Sequence, residues 1–318
     1  MAVRLGVFRA GRQSAQAIAS HSRAALDRTL ARPAELWVAI AEEDARLLGA
    51  FQRGAGFARA GRLLRRGSGG PDVLLAEGTI HVALALAHPA ALVPADARRL
   101  VNRLVRPLLR ALTKSGAGVA HFFGRDWVSL ARRPAAWVGF AHDAGEGRAL
   151  FEAFVGVRAP FAPSGRASFR GASPGSLEAI AGRTFDPALL CDAIVEAYAE
   201  GADAEAAVLP PLTASAPAED PTTDRPWAAT AEEAIGTIGA GPDARGVFRV
   251  GGDLLVSRDA LAALEARAAS APLGDMGRLV DATLGAPGVA LDGVRSLESV
   301  RSVIVRALSP DPAPRSGR

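Results

Sequence analysis

The chain has 318 residues, 49% of them hydrophobic and 22% charged, and a formal net charge of +4. That length accommodates two domains with ample core material. The single cysteine, Cys191, excludes an intrachain disulfide and a cysteine-rich zinc site, and the five histidines show no paired ligand spacing, so no metal site is expected. Arginine supplies nearly all the positive charge, but no basic run alternates with aromatics as a nucleic-acid stacking platform would need, so no nucleic-acid partner is expected. No apolar run approaches ~18 residues, and no membrane span is expected. The first thirty residues are rich in Arg, Ala and Ser, as in a transit peptide, but the whole chain shares that bias, so a cytoplasmic protein is the expectation.

In chain order, the spacing of Ile18, Ala25, Leu26 and Leu30 predicts a helix over Arg12–Leu30, ended by Pro33. Leu36–Ile40 and Arg46–Gln52 read as strands leading to an arginine–glycine turn, and the alternation of Thr79–Leu86 predicts a third. Leu100, Leu104, Leu108 and Leu112 recur every four residues and predict an amphipathic helix over Asp96–Lys114, with Pro107 a candidate kink. Val119–Phe123, Trp127–Leu130, Ala136–Ala141 and Leu150–Val157 read as consecutive strands, with Gly145-Glu146-Gly147 as a hairpin turn. Asp186–Tyr198 is predicted helical, Asp186 capping it ahead of Pro187. Val247–Val250 and Leu254–Val256 read as a strand pair, followed by helices at Arg258–Ala269, Gly274–Leu284 and Ser296–Leu308.

The fold class is therefore α+β, a mixed and largely antiparallel sheet flanked by helices, with a small α+β accessory domain. Expected bounds are 1–209 for the first domain, 210–226 for a Pro- and Thr-rich linker, 227–308 for the accessory domain and 309–318 for a disordered tail.

Arg65-Arg66-Gly67-Ser68-Gly69-Gly70 is the main candidate for chemistry, with Gly78-Thr79 eight residues on. Glycines let a ligand approach the main chain, successive N–H groups form a concave anion site, and guanidinium forks add paired donors. Each element also has a plain reading: the turn as an ordinary loop, Arg65 and Arg66 as solvated charge, and Asp126 as a turn cap.

The order of these pieces resembles the lipoate–protein ligase A family, within the wider biotin/lipoate ligase group. Leu48-Gly49-Ala50-Phe51-Gln52 resembles its Ile-Gly-Arg-x-Gln strand, the arginine–glycine turn its Arg-Arg-x-Ser-Gly-Gly loop, Gly78-Thr79 its Gly-Asn, and Gly124-Arg125-Asp126 its Gly-Arg-Asn-Asp. Gly246–Leu254 followed by Leu264-Glu265 resembles the accessory C-terminal domain. The resemblance implies ATP-dependent activation of lipoate or octanoate and transfer to a lysine of a lipoyl-type carrier domain. It further implies that Arg65, Arg66, Ser68, Gly69, Gly70, Gly78 and Thr79 hold the acyl-adenylate, and that Asp126 contacts nucleotide or magnesium.

The family's lysine is missing. Spacing from Asp126 puts Arg133 at its place, followed by Pro134 and Ala136, and arginine is no substitute for a point donor. Lys114 is the only lysine and ends a predicted helix, where the dipole favours a cation. Pro71-Asp72 and Leu75-Ala76 also depart from the family loop, and Asp72 puts a negative charge beside an anion site. Cys191 falls within a predicted helix and reads as a small buried hydrophobe, and Gly67-Ser68-Gly69 is not a Gly-x-Ser-x-Gly nucleophile elbow. Two functions follow: a divergent ligase using Arg133, or a catalytically inactive relative that binds an acyl group, acyl carrier or partner protein.

Overall fold

The computed structural model describes residues 3–57, 61–124, 126–163, 169, 171–207 and 224–309. Residues 210–223 of the expected linker, residues 310–318 of the expected tail and Arg125 lie outside the described residues.

The first part of the chain runs β1 (Val3–Gln13), α1 (Ala15–Ala24), β2 (Ala34–Ala41), β3 (Ala45–Leu48), β4 (Leu63–Arg65), β5 (Val73–Leu75), β6 (Ile80–Leu86), α2 (Leu100–Lys114), β7 (Ala120–Phe122), β8 (Trp127–Leu130), β9 (Arg133–His142), β10 (Ala149–Val155), α3 (Leu177–Ala181), α4 (Pro187–Ala199) and β11 (Ala202–Ala206). Eight strands form the main sheet in the order β11-β1-β2-β6-β10-β9-β8-β7. The β11–β1 and β1–β2 pairs are parallel, and every pair from β2 to β7 is antiparallel. The fold is thus the expected α+β class with a mostly antiparallel sheet.

Strands β2, β6 and β10 are buried along their whole length, which is why they read as almost unbroken apolar runs. One face packs on α2 and α4. There Phe151 lies beside Leu84 and Phe140 in the register and its ring meets Tyr198 of α4. Leu100, Leu104, Leu108 and Leu112 of α2 are fully buried. Asp96 caps a 3-10 turn at Ala97–Arg99 by accepting from the Arg99 N–H, so the α-helix proper starts at Leu100, and Pro107 sits inside it. Asp186 caps α4 as expected, its carboxylate accepting the Ala188 N–H.

The strand expected over Arg46–Gln52 ends at Leu48, where a turn closed by the Gln52 N–H on the Gly49 carbonyl begins, and the helix expected to reach Leu30 ends at Ala24. Two further expectations fail. Residues 12 and 13 belong to β1, and the helix begins only after Ser14, whose hydroxyl accepts the Ala17 N–H. The hidden signal was the buried stretch Leu5–Phe8, in a strand paired along both edges by its parallel neighbours β2 and β11. In the C-terminal part, β14 and β15 do not pair with one another. The order there is β12 (Ala229–Glu232), β13 (Thr237–Pro242), β14 (Phe248–Gly252), β15 (Leu255–Val256), α5 (Arg258–Ala268), α6 (Met276–Leu284), β16 (Leu291–Asp292) and α7 (Leu297–Leu308). β14 closes a three-stranded sheet with β13 and β12, and β15 pairs with the distant β16. Left-handed Gly252 ends β14 at φ 103°, and the chain leaves that sheet.

Buried apolar residues fall into two clusters. One surrounds the main sheet, and the second gathers Ile238, Val250, Leu264, Met276 and Ile304 around β13, β14 and the last helices. Their junction runs directly over the arginine–glycine loop.

Candidate functional site

The loop between β4 and β5 lies on the sheet face opposite α2 and α4. Trp37, His81, Glu152, Phe154 and Trp137 share that face, by the registers of β2, β6, β10 and β9. Arg66 is fully buried. Its Nε donates to Ser68 Oγ at 3.0 Å, and its terminal nitrogens donate to the carbonyls of Leu47 (3.1 Å), Gly69 (2.7 Å) and Pro71 (2.7 Å). The guanidinium lies over the Trp137 ring at 4.1 Å, a cation–π contact in a desolvated setting. Ser68 in turn donates to Glu152, and the opposite Glu152 oxygen faces His81 Nε2 at 2.6 Å. His81 stacks on Phe154 and meets Trp37 edge-on, and Trp37 stacks on His21 at 4.2 Å.

This chain of contacts decides the charges. Burial pushes the Glu152 carboxyl up, but the hydrogen bonds from His81 and Ser68 and the charge of Arg66 overcome it, and the group ends below its usual range. Glu152 is therefore the counter-ion of Arg66, and the His81 ring nitrogen facing it donates. His21 has no such partner. Burial, with the charges of His81 and Arg28 behind it, lowers its pKa from 6.5 to about 3.

The loop's backbone donors are engaged as well. Gly67 N–H goes to Ser22 Oγ (2.7 Å), Gly69 N–H to the Phe140 carbonyl (3.3 Å) and Gly70 N–H to the Leu254 carbonyl (2.7 Å). A Cβ at Gly69 would collide with the Leu254 carbonyl, and one at Gly70, where φ is +87°, would meet the Trp137 ring. The glycines thus do allow a close backbone approach, but the approaching backbone is this chain's own.

The other residues singled out from the sequence lie in different surroundings. Arg65 donates to the Gln52 carbonyl and to Asp224 at 2.9 Å. Gly78 and Thr79 form the turn into β6: the Gly78 N–H reaches the Ala41 carbonyl at 2.9 Å, and Thr79 Oγ1 accepts the Ala76 N–H at 3.0 Å. Arg133 at the start of β9 donates to the carbonyls of Ser173 (3.4 Å) and Pro174 (3.2 Å). Asp126 is buried and, with Gly124, lines a cleft of about 520 Å³ bounded by Asn102, Phe122, Ile235, Leu255 and Asp292. Leu255 separates this cleft from the loop, since its side chain also faces Gly70. The charge of Asp72 is met by Arg46 at 3.1 Å. Burial raises the Cys191 thiol to about 12, which keeps it protonated.

Sequence reasoning missed three groups. Gln52 accepts the Gly49 N–H at 2.7 Å and donates to Asp253 at 2.5 Å. Arg53 donates to the carbonyls of Arg225, Pro226, Gly241 and Pro242 and lies 3.7 Å over Trp227. Together these two clamp the C-terminal part onto the loop. The third is the His81–Glu152 pair, whose signal was a histidine and a carboxylate set at core positions of apolar strands.

Among the described residues, no three His, Cys, Asp or Glu side chains gather as a metal cage would require, and no helix is long and apolar enough to cross a membrane.

No family model matches the sequence, and no curated protein matches it. Solved structures do. Lipoate-protein ligase A bound with ATP aligns at a TM-score of 0.50 and 12% identity, over 67% of this chain and 91% of that one. A bipartite lipoate protein ligase from Thermoplasma acidophilum, studied with its E2 lipoyl domain, gives 0.49 and 14% over 65% and 86%. P. falciparum LipL1 in complex with lipoate gives 0.45 and 13%, and the match spans 62% of each chain, under two thirds of LipL1's length. At these identities the likeness is one of fold: this chain has the architecture of lipoate-protein ligase A.

Proposed function

We propose that this protein is a catalytically silent relative of the lipoate ligases, which keeps the ligase fold as a binding scaffold for a lipoyl-type carrier domain or its acyl group. The motifs Leu48–Gln52 and Arg65–Gly70 and the fold support the kinship. One observation carries the loss of chemistry: the donors that would stabilise an acyl-adenylate, Arg66 and the N–H groups of Gly67, Gly69 and Gly70, are directed at protein acceptors. Adenylate formation needs fixed donors aimed at developing charge, and donors already satisfied within the protein supply none. In this reading residues 227–308 are an accessory domain closed over the loop, and the protein works in the cytoplasm.

The test is pyrophosphate release from ATP with lipoate, octanoate or biotin. No turnover is expected, and calorimetry with a lipoyl domain should show binding. Arg133→Lys should gain no activity, because that side chain rests on Ser173 and Pro174. Steady turnover by the unaltered protein would overturn the reading.

One observation favours the alternative, an ATP-dependent ligase for lipoate or octanoate. Among the described residues, the segment at Leu254–Leu255 lies between the loop and the cleft of Gly124 and Asp126. If it withdrew, Arg65, Arg66, Ser68, Gly69 and Gly70 would open toward Asp126, whose carboxylate suits a magnesium ion carried by nucleotide phosphates. Gly78, Thr79 and Arg133 would then have to be drawn in from elsewhere.

A further inference from the structure

On the far side of the main sheet, where α2 crosses α4, lies a cleft of about 500 Å³ that neither reading uses. Its floor is apolar: Leu92, Val93, Leu104, Pro107 and the ring of Tyr198. The Tyr198 hydroxyl is turned away into the protein, donating to the Leu104 carbonyl at 2.8 Å, so the phenol adds no polar group to the cleft. Three arginines of α2 stand along the rim at 103, 106 and 110. Arg110 is committed: it donates to the Ala197 carbonyl at 3.1 Å and pairs with Glu200 at 3.3 Å, answering the C-terminal end of α4 and the cleft's one acidic side chain. Arg103 and Arg106 have no ion pair or hydrogen bond among the described residues. They lie one helical turn apart, three residues along α2, so both forks can reach the same head group.

We propose that this cleft binds an amphipathic anion, an apolar chain of medium length ending in a carboxylate or phosphate, with the chain on Leu92, Val93 and Tyr198 and the head held by Arg103 and Arg106. Two uncompensated guanidiniums beside a half-enclosed apolar floor suit that chemistry, since charge-assisted forks fix the head while apolar area holds the tail. The site is independent of the arginine–glycine loop, and it stands whether or not the loop proves active.

The test is calorimetry on the full chain with decanoate, monodecyl phosphate and decanol. Saturable binding of at least one anion is expected, with decanol weaker by about tenfold or more, as loss of a charge-assisted contact implies. A preference for decanoate would identify a free acyl chain as the ligand, and a preference for monodecyl phosphate a phosphate-headed one. The R103Q/R106Q double variant should weaken the preferred anion by about tenfold or more while leaving decanol unchanged. V93D, which keeps both arginines, should weaken it as well by placing a carboxylate on the floor. R106Q alone alters only an exposed side chain and secures the result if the double variant melts early. Absence of saturable anion binding, equal affinity for decanol, or unchanged binding in R103Q/R106Q would each overturn the proposal.

Discussion

The two faces of the main sheet are built from alternate residues of the same strands, yet they solve burial in opposite ways. The face toward α2 and α4 is apolar, with Leu36, Leu84, Phe140 and Phe151 in adjacent register and no exposure above 1%. The opposite face carries His81 and Glu152 at equal depth and joins them through Ser68 to Arg66. An apolar face can accept a volume-conserving exchange of its side chains at small cost, because area burial is non-directional. A buried carboxylate has no such freedom, because it is tolerable only where its partners are. Glu152 therefore fixes where the arginine–glycine loop sits, and the loop fixes where the C-terminal part docks, through Gly70 and Leu254.

The strongest way to break this comparison is to remove the carboxylate. Glu152→Leu leaves Arg66 buried without its counter-ion and His81 without its acceptor, and it should cost about 4 kcal/mol in denaturant unfolding. Leu84→Ala on the other face should cost about 3 kcal/mol, by lost transfer energy and a residual cavity. A Glu152→Leu protein as stable as the original would show that the ionic chain organises nothing.

Gly69→Ala probes the next joint. The added methyl must displace the Leu254 carbonyl, and overpacking of this kind costs about 2 kcal/mol. The loss should be local at first: amide exchange at Gly70 and in Leu254–Val256 should speed up while β6 and β10 stay protected. Uniform exchange across the protein would mean that loop and C-terminal part do not separate as a unit. It would also remove the opening that the ligase alternative requires.

The sequence disclosed the parts of this design more readily than its joints. The strands Leu36–Ile40, Trp127–Leu130 and Thr79–Leu86 were legible because apolar side chains declare burial locally, and α2 because its leucines recur at helical spacing. β1 was not, since its arginines and glycines hide a strand held between two parallel partners, one of them, β11, far along the chain. β11, reading Ala-Asp-Ala-Glu-Ala, alternates only between alanines and acids and buries none of its residues, so it carries little apolar signal, and it exists because β1 offers it an edge. The Arg65–Gly70 loop was recognised as a place where backbone must come close. What comes close is Leu254, 185 residues beyond Gly69, and no local pattern encodes that pairing. His81 and Glu152 were passed over because their strands read as core, although a charged residue in the middle of Phe-Glu-Ala-Phe was the available signal.

The last effect is the smallest within any single pH unit, and it sharpens the comparison most cleanly because it follows pH. The folded pKa of His21 is about 3 against an ordinary 6.5. Between those values the unfolded chain binds a proton that the folded protein refuses, so stability must fall as pH drops through that window. The slope should approach about 1 kcal/mol per pH unit. Glu152 has the same sign, but its folded pKa lies below the ordinary 4.5, so its contribution is lost only at more acid pH. The range from 6.5 to 4.5 therefore lies above the Glu152 contribution, although Glu265, raised above 4.5 by burial, acts there with the opposite sign, so His21 is read from the difference between the protein and its variant. His142, lowered mainly by burial despite Asp259 and Asp143, adds to the slope there. His21→Phe keeps a ring against Trp37 and removes the titration, so unfolding curves across that range should flatten without becoming level. If the slope is unchanged, His21 reaches solvent in the folded protein, and the polar face is less tightly closed than its contacts require.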